Sequence, residues 1–175
     1  MSVSNTRSED SVVAEASAAH RALVAAVAAV VIAADQLSKW WALNSVADRT
    51  IQVVWTLQLH VTRNTGAAFS MFSQRGWGPV IGVVALIVVG LLVWQGRTIT
   101  NRTGAVAVGL ILGGALGNLA DRLFRAQDGF LSGAVVDFID LQWWPVFNVA
   151  DAGVVVGSIL LVLVTLFIPD DAAGR

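Results

Sequence analysis

Three aspartates lie inside otherwise apolar sequence between Gly113 and Asp151. Asp121 ends one long hydrophobic run, Asp151 stands near the start of the next, and Asp137 lies in VVDF on the short link between them. A carboxylate in or beside a membrane-spanning segment is costly unless it faces a protein interior or a cavity, so each is a functional candidate. If Asp137 and Asp151 meet, like charge keeps both from ionising easily, and the pair shares one proton. Such a pair is an acid beside a base. The ionised member takes a proton from water attacking a carbonyl, and the neutral member hydrogen-bonds the oxygen and then protonates the leaving nitrogen.

Local spacing supplies neighbours for these groups. Asn118, Asp121 and Arg122 fall at i, i+3 and i+4, one face of a helix end. From there Arg122 is expected to give a charge-assisted bond to a nearby carboxylate. Asn148 and Asp151 are three apart after Pro145, where a helix N-terminus favours an anion by ~0.3–1 kcal/mol. Asn148 also suits the cap of that helix. Asp137 has apolar neighbours and no local partner, so desolvation is expected to raise its pKa. Asp35 and Lys39, four apart, share a helix face and read either as an interfacial ion pair or as part of a site.

Other chemistries are poorly supplied. The chain has no cysteine, which excludes thiol nucleophiles, disulfides and Cys-ligated metals. Its two histidines are His20, in a polar N-terminal stretch, and His60, on the polar side of an alternating segment. Neither forms a zinc-binding pattern, and no nucleophile-elbow glycine pattern surrounds a serine. Ser38 and Lys39 are adjacent, so on a helix they point about 100° apart and do not face each other. No metal or other cofactor is called for. With 11 basic and 12 acidic residues and no basic cluster, nucleic-acid binding has no electrostatic footing.

The elements that must position the aspartates are membrane spans. The chain is 56% hydrophobic and 13% charged, about half the roughly 25% charge of soluble domains. Apolar runs predict four transmembrane helices over about 22–43, 77–94, 105–123 and 146–168. In the third, Gly109, Gly113, Gly114 and Gly117 suit close helix approach. Residues 51–61 alternate apolar and polar, predicting one half-buried strand within an outer segment of about 45–76. Asn64 and Gly66 after it suit a turn. The fold expected is a mainly α membrane protein: a single unit over 21–169 with a small β-containing part between its first two helices. Residues 1–20 read as a disordered tail, and 170–175 as a second tail. Four spans put both termini on one side. Basic residues divide almost evenly between the sides, but Arg97 and Arg102 are dense in a short loop, which favours cytoplasmic termini.

Five ordered motifs, DQLSK at 35–39, NTGAAF at 64–69, GNLADR at 117–122, VVDF at 135–138 and FNVAD at 147–151, together resemble the lipoprotein signal peptidases, signal peptidase II. The resemblance covers about residues 22–168. It implies a multi-pass aspartyl endopeptidase of the bacterial cytoplasmic (inner) membrane, with cytoplasmic termini, a β-cradle, and its site near the outer leaflet. Its substrates would be prolipoproteins, cleaved before a diacylglyceryl-modified cysteine, and membrane lipid would be its other partner. The family's catalytic pair matches Asp137 and Asp151. Its supporting or substrate-binding positions match Asp35, Lys39, Asn64, Gly66, Asn118, Asp121, Arg122, Asn148 and Ala150. One departure is the stretch from Leu123 to Val136, longer than the tight link of many members. The competing expectation is a small proton-coupled transporter or channel subunit that uses Asp35, Asp121 and Asp151 as a relay.

Overall fold

A computed structural model describes residues 3–65, 78–95, 99–126 and 129–167. The chain runs α1 (Val3–Ser45), β1 (Ile51–Val54), β2 (Leu57–Asn64), α2 (Gly78–Gln95), α3 (Arg102–Phe124), β3 (Val135–Asp140) and α4 (Val149–Phe167). Among the described residues, three helical segments are long and apolar enough to cross a membrane: Ala14–Ser45, Arg102–Phe124 and Val149–Phe167. The apolar part of α2 among the described residues, Pro79–Trp94, is shorter. The ends expected at Trp77 and Ile168 lie outside the described residues.

α1 departs from expectation at its start. It is one helix of 43 residues that begins at Val3, within the stretch expected to be a disordered tail. The segment contains neither glycine nor proline and is rich in alanine, so nothing in it interrupts the helix before the apolar run.

α3 is the middle of the bundle, packed against α1, α2 and α4. Its apolar stretch is 56% buried inside the protein, against 11% for that of α1 and 17% for that of α4. Small residues permit this. A Cβ placed on Gly113 would meet Val31 Cβ at 2.7 Å and the Ala28 carbonyl oxygen at 2.8 Å on α1. One residue on, Gly114 lies against Ala150 and Val154 of α4. Both contacts follow the rule that close membrane-helix approach needs small side chains. Gly113→Leu is expected to separate α1 from α3 and so part Lys39 from its partners on α3. Thermal unfolding in detergent should drop, with a cost of about 1–3 kcal/mol or more for overpacking; an unchanged midpoint would contradict this packing.

The β part differs from expectation in two ways. The alternating segment is a hairpin and not one strand: β1 pairs antiparallel with β2 across Trp55 and Thr56. The turn places Trp55 at φ 53°, a conformation that usually calls for glycine or asparagine. Nothing in the local sequence marks a turn there. Second, VVDF is not a link. It forms β3, paired antiparallel with β2 to complete a three-stranded sheet in the order β1-β2-β3. The sheet therefore draws on chain from between α1 and α2 and from between α3 and α4.

The long stretch after α3 is held back against the bundle at residues 131 and 133. Gly133 donates its N–H to the Arg122 carbonyl at 3.0 Å, satisfying one of the free carbonyls at the helix terminus. Leu131, 1% exposed and at φ 58°, packs its side chain over Gly82 of α2.

Candidate active site

The site forms where the ends of α1 and α3, the start of α4, and strands β2 and β3 meet. Asp35 and Lys39 stand on α1, four residues apart and fully buried. Lys39 Nζ lies 2.9 Å from Asp35 Oδ2, 3.0 Å from Asp121 Oδ2 and 2.9 Å from Asn118 Oδ1. An ammonium has three donors, and here each has an oxygen. Asp35 and Lys39 are thus an internal pair.

Asp121 collects four donors. Besides Lys39, they are Arg125 Nε at 2.9 Å, Gln36 Nε2 at 3.3 Å and the Val136 backbone N–H at 3.0 Å. The last bond ties β3 to the end of α3, next to Asp137. Gln36 also donates to Asp35 Oδ2 at 3.0 Å and to the Gly117 carbonyl at 3.1 Å. Gln36 lies inside DQLSK and Arg125 three residues past GNLADR, yet the motifs mark neither as a site residue. Arg125 lies four residues after Asp121, a spacing that alone could have signalled the pair. The partner of Gln36 is 85 residues away, and no local pattern reports it.

α4 begins with a reciprocal cap. Asn148 Oδ1 accepts the Asp151 N–H at 3.0 Å, and Asp151 Oδ2 accepts the Asn148 N–H at 3.1 Å. This is the logic of a capping box, with each side chain satisfying the other's amide. The Ala150 N–H in the same turn donates to Asp35 Oδ1 at 3.0 Å, so Ala150 contributes backbone. Its side chain is fully buried.

Asn148 is both a cap and part of the site. Its Nδ2 donates to Asp137 Oδ1 at 2.6 Å and to Asn118 Oδ1 at 3.0 Å. Asn118 Nδ2 donates in turn to Asp151 Oδ1 at 2.7 Å. A chain of amides thus links the two aspartates: Asp137, Asn148, Asn118, Asp151. From the other side, Asn64 Nδ2 at the end of β2 reaches Asp137 Oδ2 at 3.0 Å. The β2–β3 register, Thr62 opposite Asp137 and Asn64 opposite Val135, sets that contact. Gly66, also expected here, lies outside the described residues.

Both aspartates border two cavities. The inner one, about 360 Å³, lies among α2, α3 and α4 and is lined by Ile81, Ala85, Asn118, Arg122, Val154 and both carboxyls. The outer one, about 470 Å³, lies between β2 and residues 144–147. Burial is the chief cause that pushes the Asp137 pKa up to about 6, with the Asp151 charge adding to it. Hydrogen bonds from Asn64 and Asn148, and the Lys39 charge, act in the opposite direction.

Arg122 behaves differently from expectation. It is 6% exposed, and its Nη1 is buried without a hydrogen-bond partner among the described residues. No ion pair of Arg122 with a carboxylate is found among the described residues, and Asp121 takes its arginine from Arg125. Adjacent helical residues face different directions, so Arg122 turns to the inner cavity beside Asp137 and Asp151. His60 is not part of this cluster. Its Nδ1 lies 3.4 Å from Asp140 Oδ2 at the far end of the β2–β3 pair.

Residues 27–167 match the family model of signal peptidase (SPase) II. The chain is 47% identical over 150 residues to a lipoprotein signal peptidase of Rhodococcus jostii, covering 83% of this chain and 73% of that one. It is 46% identical over 160 residues to a lipoprotein signal peptidase of Mycobacterium leprae, covering 87% and 76%. Among solved structures, a bacterial membrane enzyme determined by the in meso method at 2.3 Å resolution superposes with a TM-score of 0.70 at 28% identity, over 87% of this chain and 92% of that one. Matched along most of its length by model, by sequence and by fold, the chain belongs to the signal peptidase II family and is a membrane protease.

Proposed function

We propose that this protein is an aspartyl endopeptidase that removes the signal peptide of prolipoproteins by cleaving before a diacylglyceryl-modified cysteine. The observation that carries the reading is the convergence of Asp137, from a strand, and Asp151, from a helix start, on shared cavities through a largely buried chain of asparagine amides. Asp137, with a pKa near 6, suits the shared proton of a dyad. A water held between the carboxyls loses its proton to the ionised member as it attacks the scissile carbonyl. The neutral member hydrogen-bonds the developing oxyanion and then gives its proton to the leaving amine. Asn64, Asn118 and Asn148 hold the carboxyl planes, and the buried Arg122 cation lies beside the charge that develops.

A proton relay finds less support. Asp35 and Asp121 are committed to Lys39, and Asp121 also to Arg125. In this reading α2 is a fourth span, both termini are cytoplasmic, and the sheet is an extracytoplasmic cradle at the outer leaflet. The peptidase unit covers 21–169. The substrate's signal helix and acyl chains reach the dyad from the inner cavity, and the peptide backbone is drawn along the sheet by strand pairing. The decisive test incubates purified protein in detergent with a diacylglyceryl prolipoprotein and follows the size shift. An unmodified precursor should remain intact. Equal cleavage of both forms would remove the lipid requirement.

The dyad also sets a pH dependence. Ionisation of Asp137 leaves the pair without its proton, so kcat/KM, which reports the free enzyme, should fall as pH rises through about 6. Asn64 donates to the ionised form and holds that pKa down. Asn64→Ala is therefore expected to move the alkaline limb upward while lowering the maximum rate. A limb that stays put or moves down would dissociate Asp137 from the titration.

A further inference from the structure

A third cavity, about 400 Å³, is lined by Arg63, Thr65, Arg125 and Ser132 together with Leu43 and Val136. Neither aspartate of the dyad borders it, nor does Asn64. The register explains why. Arg63 pairs with Val136 and Thr62 with Asp137, and successive strand residues face opposite sides of a sheet. Arg63 and Val136 therefore lie on the face turned away from Asp137. Arg63 also borders the outer cavity, whereas Arg125 belongs to this one.

Its two guanidinium groups come from separate elements: Arg63 from β2, and Arg125 from the residue after α3. Arg125 spends its Nε on Asp121 and keeps a side chain 35% exposed. Arg63 is exposed and has no carboxylate partner among the described residues. Asp35 and Asp121 are balanced by Lys39 and Arg125, so Arg63 adds a positive charge that no described carboxylate neutralises. Guanidinium forks match phosphate oxygens in pairs. The setting is amphipathic, with Leu43 from the end of α1 beside the arginines. The ends of α1 and α3 mark the boundary between the spans and the sheet, the depth at which a bilayer presents its phosphates.

We propose that Arg63 and Arg125 hold the phosphate of a membrane phospholipid on the face of the sheet opposite the dyad. The inference rests on the membrane-spanning reading of the bundle and is independent of the aspartyl chemistry. The test uses the full chain in phosphatidylcholine nanodiscs doped with spin-labelled phosphatidylglycerol, reading the motionally restricted fraction by electron paramagnetic resonance. Arg63→Gln is expected to weaken retention about tenfold or more, the scale of one lost hydrogen bond to a charged group, and Arg63→Lys to recover part of it. Arg49→Gln removes an exposed arginine whose Nε bonds the Ser45 carbonyl, outside the cavity, and should leave retention unchanged. Asp137→Asn should retain the lipid fully, which separates this result from any failure of the protease assignment. Retention in Arg63→Gln equal to the parent would overturn the proposal. Displacement by inorganic phosphate at equal concentration would also overturn it, because the cavity would then take a free anion.

Discussion

Asp137→Asn and Asp151→Asn are each expected to abolish prolipoprotein cleavage while the protein stays folded. The loss should reach roughly 10³–10⁴-fold or more, because each partner of a dyad supplies a step the other cannot, and residues acting as a unit lose nearly all activity singly. The double variant should be no worse than either single one. Stability separates this from general damage. Asp137 has a folded pKa of about 6 against an ordinary value of 3.8, so the folded state binds more protons than the unfolded state between those pH values. Folding stability is then expected to fall as pH rises from 4 to 6 and to stay lower above. The contribution is about 3 kcal/mol, at about 1.4 kcal/mol for each pH unit between the two values. Asparagine cannot ionise, so Asp137→Asn should flatten this slope in thermal unfolding measured at pH 4.5 and pH 7.5. Turnover retained in either single variant would end the dyad assignment. A slope unchanged in Asp137→Asn would show that another group titrates there.

Lys39→Met should cost more stability than any other single change at the site. Lys39 is fully buried between two buried carboxylates and an asparagine oxygen. Removing it leaves Asp35 and Asp121 without their shared cation, and breaking a buried ion pair from one side typically costs about 3–5 kcal/mol. The midpoint of thermal unfolding in detergent should drop by roughly 10 °C or more on that scale. Replacing the whole set, Asp35→Asn with Lys39→Met and Asp121→Asn, should recover much of the loss, since neutral groups in that volume escape the much larger cost of desolvating charge. A Lys39→Met protein as stable as the parent would mean that water reaches the two carboxylates. Even the recovered triple variant should cleave slowly. Asp35 holds the Ala150 amide at the start of α4, and Asp121 holds the Val136 amide on β3. These two bonds fix the elements that carry Asp151 and Asp137.

Much of this was legible in the sequence, because membrane solvent imposes strong local rules. Long apolar runs must be helices, glycines in them mark close approach, and the few polar residues they keep must have partners. Asp35 with Lys39 was readable from helical spacing alone, and so was the capping relation of Asn148 with Asp151. The motif order around Asp137 and Asp151 identified the family before any geometry was known.

What the tertiary structure decided lies in contacts that no local period reports. β3 exists because β2, more than 70 residues earlier, offers it a partner, so VVDF reads as a link until that neighbour is present. The hairpin at Trp55 has no glycine or asparagine signal, and pairing with β2 holds the turn in place. Asn148 looked like a choice between capping and chemistry. The two ends of its amide do both, the oxygen toward the helix and the nitrogen toward Asp137 and Asn118. Arg125, to which the motifs gave no role, bonds Asp121, and Arg122 turns elsewhere. Helical periodicity accounts for Arg125 meeting Asp121 four residues away, but only the packing of α3 against α2 and α4 puts Arg122 at the cavity with the dyad.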